Sequence, residues 1–178
     1  MTENGEGFLM IQIRLAGLED AKDLGLVQSE SYRNAYKDIM PDEFLREYTP
    51  ISRESYFNNA LSKGTEHIAI MLVDNKTVGF LILKACSDND LDDSYGEISA
   101  IYLLQHFRGK GFGIQLFNWG IEKLINLGFS SAALWVLKEN KNAIGLYGQQ
   151  EFVPDGTERV IFRGRELSQI RYQKRIVQ

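Results

Sequence analysis

The chain has 178 residues, the span of one globular domain, with 44% hydrophobic, 11% aromatic and 25% charged residues, a composition that fits a packed protein rather than a disordered or fibrous one. Twenty Lys and Arg against twenty-four Asp and Glu give a net charge of −4, which argues against a general nucleic-acid or anionic-membrane binder. One cysteine, Cys86, excludes an internal disulfide and a thiolate zinc cluster, and two histidines, His67 and His106, disfavour a multi-histidine metal site.

Residues 1–7 are acidic and polar, without the basic start or apolar centre of a secretory signal, and read as a flexible lead-in. The longest apolar runs, such as Ile68 to Val73, are too short to span a bilayer. The expectation is a single cytoplasmic domain over residues 8–178, with neither membrane nor nucleic acid as partner.

The first strand is expected over 9–15. A helix follows, with Glu19 and Asp20 in its first turn and Ala21, Leu24, Val27, Ser31 and Ala35 on its inner face. Pro41 suits the first position of a short helix, Thr49-Pro50 stops it, and Ser52 can cap a third helix running to about 63. The stretch from Tyr32 to Phe57 is dense in aromatics. Apolar strands over 67–74 and 77–84 flank a tight Asp74-Asn75-Lys76 turn. An acidic loop over 87–93 leads to a strand over 96–103. The helix expected over 111–127 carries Ile114, Phe117, Ile121, Leu124 and Ile125 on one stripe, and Gly128 is placed to end it. A non-alternating apolar run over 131–137 reads as a strand buried on both faces. These last elements make one parallel βαβ unit. A short helix over 140–149 and a hairpin of about 158–163 and 167–175 finish a mixed α/β sheet, mostly antiparallel, of about seven strands flanked by helices.

Arg108-Gly-Lys-Gly-Phe-Gly113 lies between a strand and the start of an amphipathic helix. Glycines at 109, 111 and 113 permit positive φ and close backbone approach, and their amides add to the helix dipole as an anion site. Arg108 and Lys110 supply full charges for a phosphate-bearing ligand. A nucleotide P-loop is excluded, because Gly111 follows Lys110 where a hydroxyl is needed. A dinucleotide fingerprint fails too, because its third glycine would fall on Ile114 or Leu116.

The spacing that fits is R-x-x-G-x-G, formed by Arg108, Gly111 and Gly113. It resembles the acetyl-CoA pyrophosphate loop of the GNAT superfamily of N-acetyltransferases. Tyr102 to Gly113 resembles the family's strand-loop-helix stretch, and Leu134 to Tyr147 its following strand and Asn…Ala…Tyr helix. The order of elements matches from Leu9 to Ile176, and the specific motifs occupy about 97–152. Two positions depart: Gln105 stands for the usual proline, and Gly148-Gln-Gln-Glu-Phe152 lacks a glycine of the usual turn.

The resemblance implies acetyl-CoA as co-substrate, no metal, and transfer to a primary amine on a small molecule or a protein. It implies that Arg108, Gly109, Lys110, Gly111, Phe112 and Gly113 hold the pyrophosphate. Backbone groups of Ile101 and Leu103 would bind the pantetheine arm, with the Leu103 N–H polarising the thioester carbonyl. Glu97 would serve as base; an ordinary solvent-facing strand-edge acid stands beside that reading. Tyr147 would protonate the leaving thiolate and contact the cofactor, with a core tyrosine as the alternative. Asn140 would cap its helix, contact the cofactor, or do both. The acceptor pocket is expected near the aromatics of 32–57.

Cys86 reads as a buried strand residue and His106 as a solvent-facing turn residue. The acidic loop has calcium-like spacing at Asp88, Asp90 and Asp92, but Asp93 and Ser99 occupy the positions that need glycine and glutamate, so calcium is rejected. That loop is expected to be solvated, with attraction of a cationic acceptor as the alternative. The non-enzyme rival is an acyl-CoA sensor or partner-binding module on the same fold, and a homodimer is left open.

Overall fold

The apolar runs become seven strands and the 3.6-residue patterns five helices in a computed structural model, which describes residues 9–177; the expected lead-in lies outside them. In chain order the elements are β1 (Ile11–Leu15), α1 (Ala21–Tyr36), α2 (Asp42–Arg46), α3 (Pro50–Lys63), β2 (His67–Val73), β3 (Lys76–Ala85), β4 (Tyr95–Leu103), α4 (Phe112–Asn126), β5 (Ser131–Leu137), α5 (Lys141–Gln149), β6 (Val153–Phe162) and β7 (Glu166–Arg175). The sheet order is β1-β2-β3-β4-β5-β7-β6, and the β4–β5 pair alone is parallel. This is the mixed, mostly antiparallel sheet expected.

Local chemistry sets several boundaries. Asp74 and Asn75 both take positive φ, 49° and 63°, so they form the two-residue turn whose twist matches a hairpin. Thr49, not Ser52, caps α3: the Ser52 amide donates to Thr49 Oγ1 at 3.1 Å, and Ser52 Oγ accepts from the Thr49 amide at 3.2 Å. Pro50 therefore opens α3, and Pro41 sits one residue before α2 rather than inside it. Strand β6 begins five residues earlier than expected, because a bulge between Pro154 and Glu158 carries the pairing past Gly156.

Helix α4 covers one face, packing Phe112, Leu116, Phe117 and Leu124 against Leu81, Leu83, Ile98 and Val136. Ile114 and Ile125 lie at its exposed margin. The inner stripe is rotated toward Leu116 and Gly120 because a Cβ at Gly120 would run into the Leu81 side chain. Helices α1 and α3 cover the other face, packing Leu24, Val27 and Phe57 against Phe80 and Ile82.

One irregularity positions everything that follows. In β4, Ala100 pairs with Ile82 but Ile98 pairs with Leu83, so Ser99 has no partner and the strand bulges. Pairing with β5 is confined to Tyr95–Glu97 against Ser131–Ala133. Beyond it the two central strands separate and leave a wedge between them.

Candidate active site

The wedge opens into a cleft of about 1010 Å³, walled by β4 residues 98–103, β5 residues 135–137, the end of α1, the glycine loop and α5. Its strand walls present backbone. The Leu104 amide donates to the Val78 carbonyl at 2.9 Å, on the far side of the Gly79–Leu103 pair. In an antiparallel ladder this turns the N–H and C=O of Leu103 away from β3, and those of Ile101 likewise. Both residues therefore face the wedge. On the other wall, the Lys138 amide donates to the Ser168 carbonyl beyond the Leu137–Gln169 pair, so the Leu137 N–H also faces it.

The glycine loop closes the wide end. Gly109 and Gly111 have φ of 72° and 83°, with nothing within 4 Å of where a Cβ would stand, and Gly111 is the N-cap of α4. The loop thus leaves open space at a helix N-terminus with its amides unobstructed, which fits a pyrophosphate. Arg108 lines the cleft, and its side chain makes contacts the motif does not show. Its Nε donates to the Leu103 carbonyl at 3.1 Å, and its terminal nitrogens to Gln105 Oε1 and the Ser31 carbonyl, both at 3.3 Å. It pins the loop to β4 and α1, and Gln105, standing for the usual proline, takes part in that latch. Gly113 also lines the cleft. Lys110 is exposed and does not line it. Phe112 is buried against Phe107, so only its backbone is available to a ligand.

Tyr147 projects from α5 into the cleft wall beside Phe117, and burial holds its phenol above the ordinary range. It is therefore a proton donor at neutral pH. Asn140 Oδ1 accepts from the Ala143 amide at 3.2 Å, capping α5, and Asn140 lines the cleft with Tyr36. Glu97 is not a solvent-facing edge acid. It is 7% exposed on a central strand, its Oε2 is 3.6 Å from Lys84 Nζ, and burial raises its pKa against the pull of Lys84. Its neighbours Gly96 and Ile98 face α4, so Glu97 lies on the opposite face, just before the bulge.

That opposite face carries one of the aromatics expected near the acceptor, together with side chains the sequence did not single out. The Tyr36 and Tyr102 hydroxyls are 3.1 Å apart, and both residues line the cleft with Trp135 and Gln169. Of the aromatics between 32 and 57, Tyr36 lines it; Tyr32 and Tyr48 stack at 3.9 Å behind it, and Phe57 belongs to the α3 core. The acidic loop is not simply solvated: Trp135 Nε1 donates to Asp88, and Arg171, 2% exposed, donates to Asp88, Asp90 and Asp155. Cys86 lies one residue past β3, half-buried, with burial raising its thiol pKa, and His106 is exposed. Among the described residues no cluster of metal-ligating side chains is present, and no helix is long and apolar enough to cross a membrane.

The sequence model of the acetyltransferase (GNAT) family matches residues 29–152. An uncharacterized N-acetyltransferase of Bacillus subtilis, YuaI, is 32% identical over 136 residues, 76% of each chain. An uncharacterized N-acetyltransferase of Archaeoglobus fulgidus is 28% identical over 148 residues, covering 79% of this chain and 92% of its own. Among solved structures, the PaiA N-acetyltransferase of Thermoplasma acidophilum in complex with coenzyme A superposes with a TM-score of 0.72 at 20% identity, over 93% of this chain and 99% of that one. Salmonella typhimurium yncA with acetyl-CoA gives 0.71 at 15%, over 95% of each. The wedge, the glycine loop and these matches lead to one conclusion: the chain belongs to the GNAT family of acetyltransferases.

Proposed function

We propose that this protein moves the acetyl group of acetyl-CoA directly to a primary amine, with both substrates bound at once. The observation that carries the reading is the wedge itself, in which the Leu103 N–H and the loop amides at Gly109–Gly113 open onto one cleft. Acetyl-CoA supplies an acyl carbon already activated as a thioester, so this chain must bind, orient and move protons. The loop amides and the start of α4 hold the pyrophosphate. Backbone groups of Ile101 and Leu103 pair with the pantetheine arm as an added strand would. The Leu103 N–H donates to the thioester oxygen as negative charge grows there.

The acceptor enters from the face carrying Tyr36, Tyr102 and Glu97. An alkyl amine has a pKa of about 10, so it arrives protonated and must lose a proton before it attacks. Glu97, directly or through a water, takes that proton. The new C–N bond forms as the C–S bond breaks, and Tyr147 passes its proton to the departing sulfur. Its elevated pKa supports that role.

The test is binding of acetyl-CoA, ATP and NAD, followed by thiol release across a panel of amines, small and protein-borne. Acetyl-CoA binding with amine-dependent thiol release is expected. Binding without turnover on any amine would favour an acyl-CoA sensor, and ATP or NAD binding without acetyl-CoA binding would overturn the assignment.

A further inference from the structure

On the face of the sheet opposite α4, the charged side chains around Trp135 differ in their partners. Lys84 faces Glu97, and Arg171 is surrounded by Asp88, Asp90 and Asp155. Arg159 on β6 shares that face, because it pairs with Gln169, which pairs in turn with Leu137 on β5. Among the described residues no carboxylate lies within 4.0 Å of its guanidinium.

Yet that guanidinium is held in place. Its Nε donates to Gln169 Oε1 at 2.7 Å, and its central carbon lies 4.1 Å from the centre of the Trp135 ring. Both partners line the cleft, so the cation sits at the cleft's edge. One nitrogen is used for its own positioning, and the two terminal nitrogens make no hydrogen bond among the described residues. A planar fork with two free nitrogens matches a carboxylate, and a fork already stacked and hydrogen-bonded loses little side-chain freedom on binding. The nearest carboxylates do not compete: Asp88 and Asp90 are engaged by Arg171, and Glu97 by Lys84. Glu97 and Arg159 are near enough for each charge to act on the other's titration. The proposed base and this cation thus share one region.

We infer that the acceptor amine carries a carboxylate a few bonds from its nitrogen, and that Arg159 binds that carboxylate. The inference rests on the acetyl-transfer reading of the same cleft. A free amino acid and a peptide beginning with an acidic residue share the required chemistry.

The test compares matched pairs: free amino acids beside their carboxamides, and peptides beginning with Asp beside those beginning with Asn. Each pair is measured with the native chain, Arg159→Gln and Arg159→Lys. The carboxylate member should have a kcat/KM about tenfold higher or more, the scale of one charge-assisted fork. Arg159→Gln should erase the preference, bringing the carboxylate member's kcat/KM to that of its amide, and Arg159→Lys should restore part of it. Preference among free amino acids or among peptides identifies the source. Equal rates within every pair, with amines still acetylated, overturn the role of Arg159 and leave the transfer reading intact.

Absence of transfer to any amine counts against the transfer reading instead. Arg159 is then decided by fluorescence of Trp135 in a Trp119→Phe chain, titrated with N-acetylglycine and with its amide. Quenching by the carboxylate alone, lost in Arg159→Gln, supports the assignment; equal responses overturn it.

Discussion

The two sides of the β4–β5 wedge are assembled from different materials. Toward α4 the groups open to a ligand are backbone amides of Leu103 and the glycine loop, and the residues that aim them fall within eleven consecutive positions, 103–113. On the opposite side they are side chains brought from α1, β4, β5, β6 and β7: Tyr36, Tyr102, Trp135, Arg159 and Gln169. A backbone site tolerates almost any side chain that keeps its dihedrals, so one nucleotide-bearing substrate can be held by a short motif. A side-chain site depends on every contributing element, so it can be reshaped for a different acceptor without disturbing the first.

Four substitutions sharpen or break that comparison. The largest effect is expected at Arg171, where the acceptor side is most densely coupled. Arg171→Met strands Asp88 and Asp155, whose side chains are 16% and 8% exposed, and should cost about 3–5 kcal/mol of stability, read by denaturant unfolding. The pH dependence adds a check. Burial would raise Asp155, but hydrogen bonds from the Thr157 amide and Arg171 outweigh it and hold the carboxyl below its usual value. That contribution is present above the unfolded pKa of about 4 and lost as pH falls through the folded value, a dependence Arg171→Met should flatten. Unchanged stability would show that the acceptor wall is not knitted through this residue.

Gly111→Glu attacks the backbone side. Space is open at the position, so the fold should survive the penalty of about 1–2 kcal/mol for a side chain at positive φ. A carboxylate in the anion site should weaken acetyl-CoA binding about 100-fold or more, measured by titration calorimetry. Intact affinity would remove the loop from the site. Tyr147→Phe keeps the ring against Phe117 and deletes the acid; kcat should fall about 100-fold, with acetyl-CoA affinity nearly unchanged. An equal loss in affinity would make Tyr147 a packing residue.

The smallest effect is expected at Glu97, about tenfold in kcat/KM for the amine in Glu97→Gln, with loss of the acidic limb of the pH–rate profile. Burial raises the Glu97 pKa, so the native enzyme should gain activity as pH rises through that elevated value. The sign for stability is opposite: a raised carboxyl favours the fold below the unfolded pKa and ceases to do so as pH rises. Glu97→Gln should therefore not destabilise the protein at neutral pH. An unchanged pH profile would assign the base elsewhere.

The legible part of the site was local. Gly109, Gly111 and the α4 stripe declare themselves because helix capping, positive φ and apolar periodicity depend on residues a few positions apart. The same locality misled where alternatives were equally close: Ser52 and Thr49 both suit a cap, and only the arrival of Pro50 at the first helical position decides between them. The α4 stripe rotated because Leu81, on another strand, occupies the space beside Gly120. Arg108 carries the expected motif and lines the cleft, and its guanidinium also donates to the carbonyl of Ser31, 77 positions away, a contact the motif does not show.

By itself the sequence determined the glycine-rich turn between strand and helix, the parallel βαβ unit around it, and membership of the family. Tertiary structure decided that β4 bulges at Ser99 and parts from β5, that Tyr36 meets Tyr102 across 66 positions, and that Arg171 pairs with Asp88, 83 positions away, while Arg159 has no carboxylate within 4.0 Å among the described residues. The physical reason is range. Dihedral preferences, caps and periodic burial act between neighbours in the chain, whereas charge pairing and cleft shape exist only after distant strands have been set side by side.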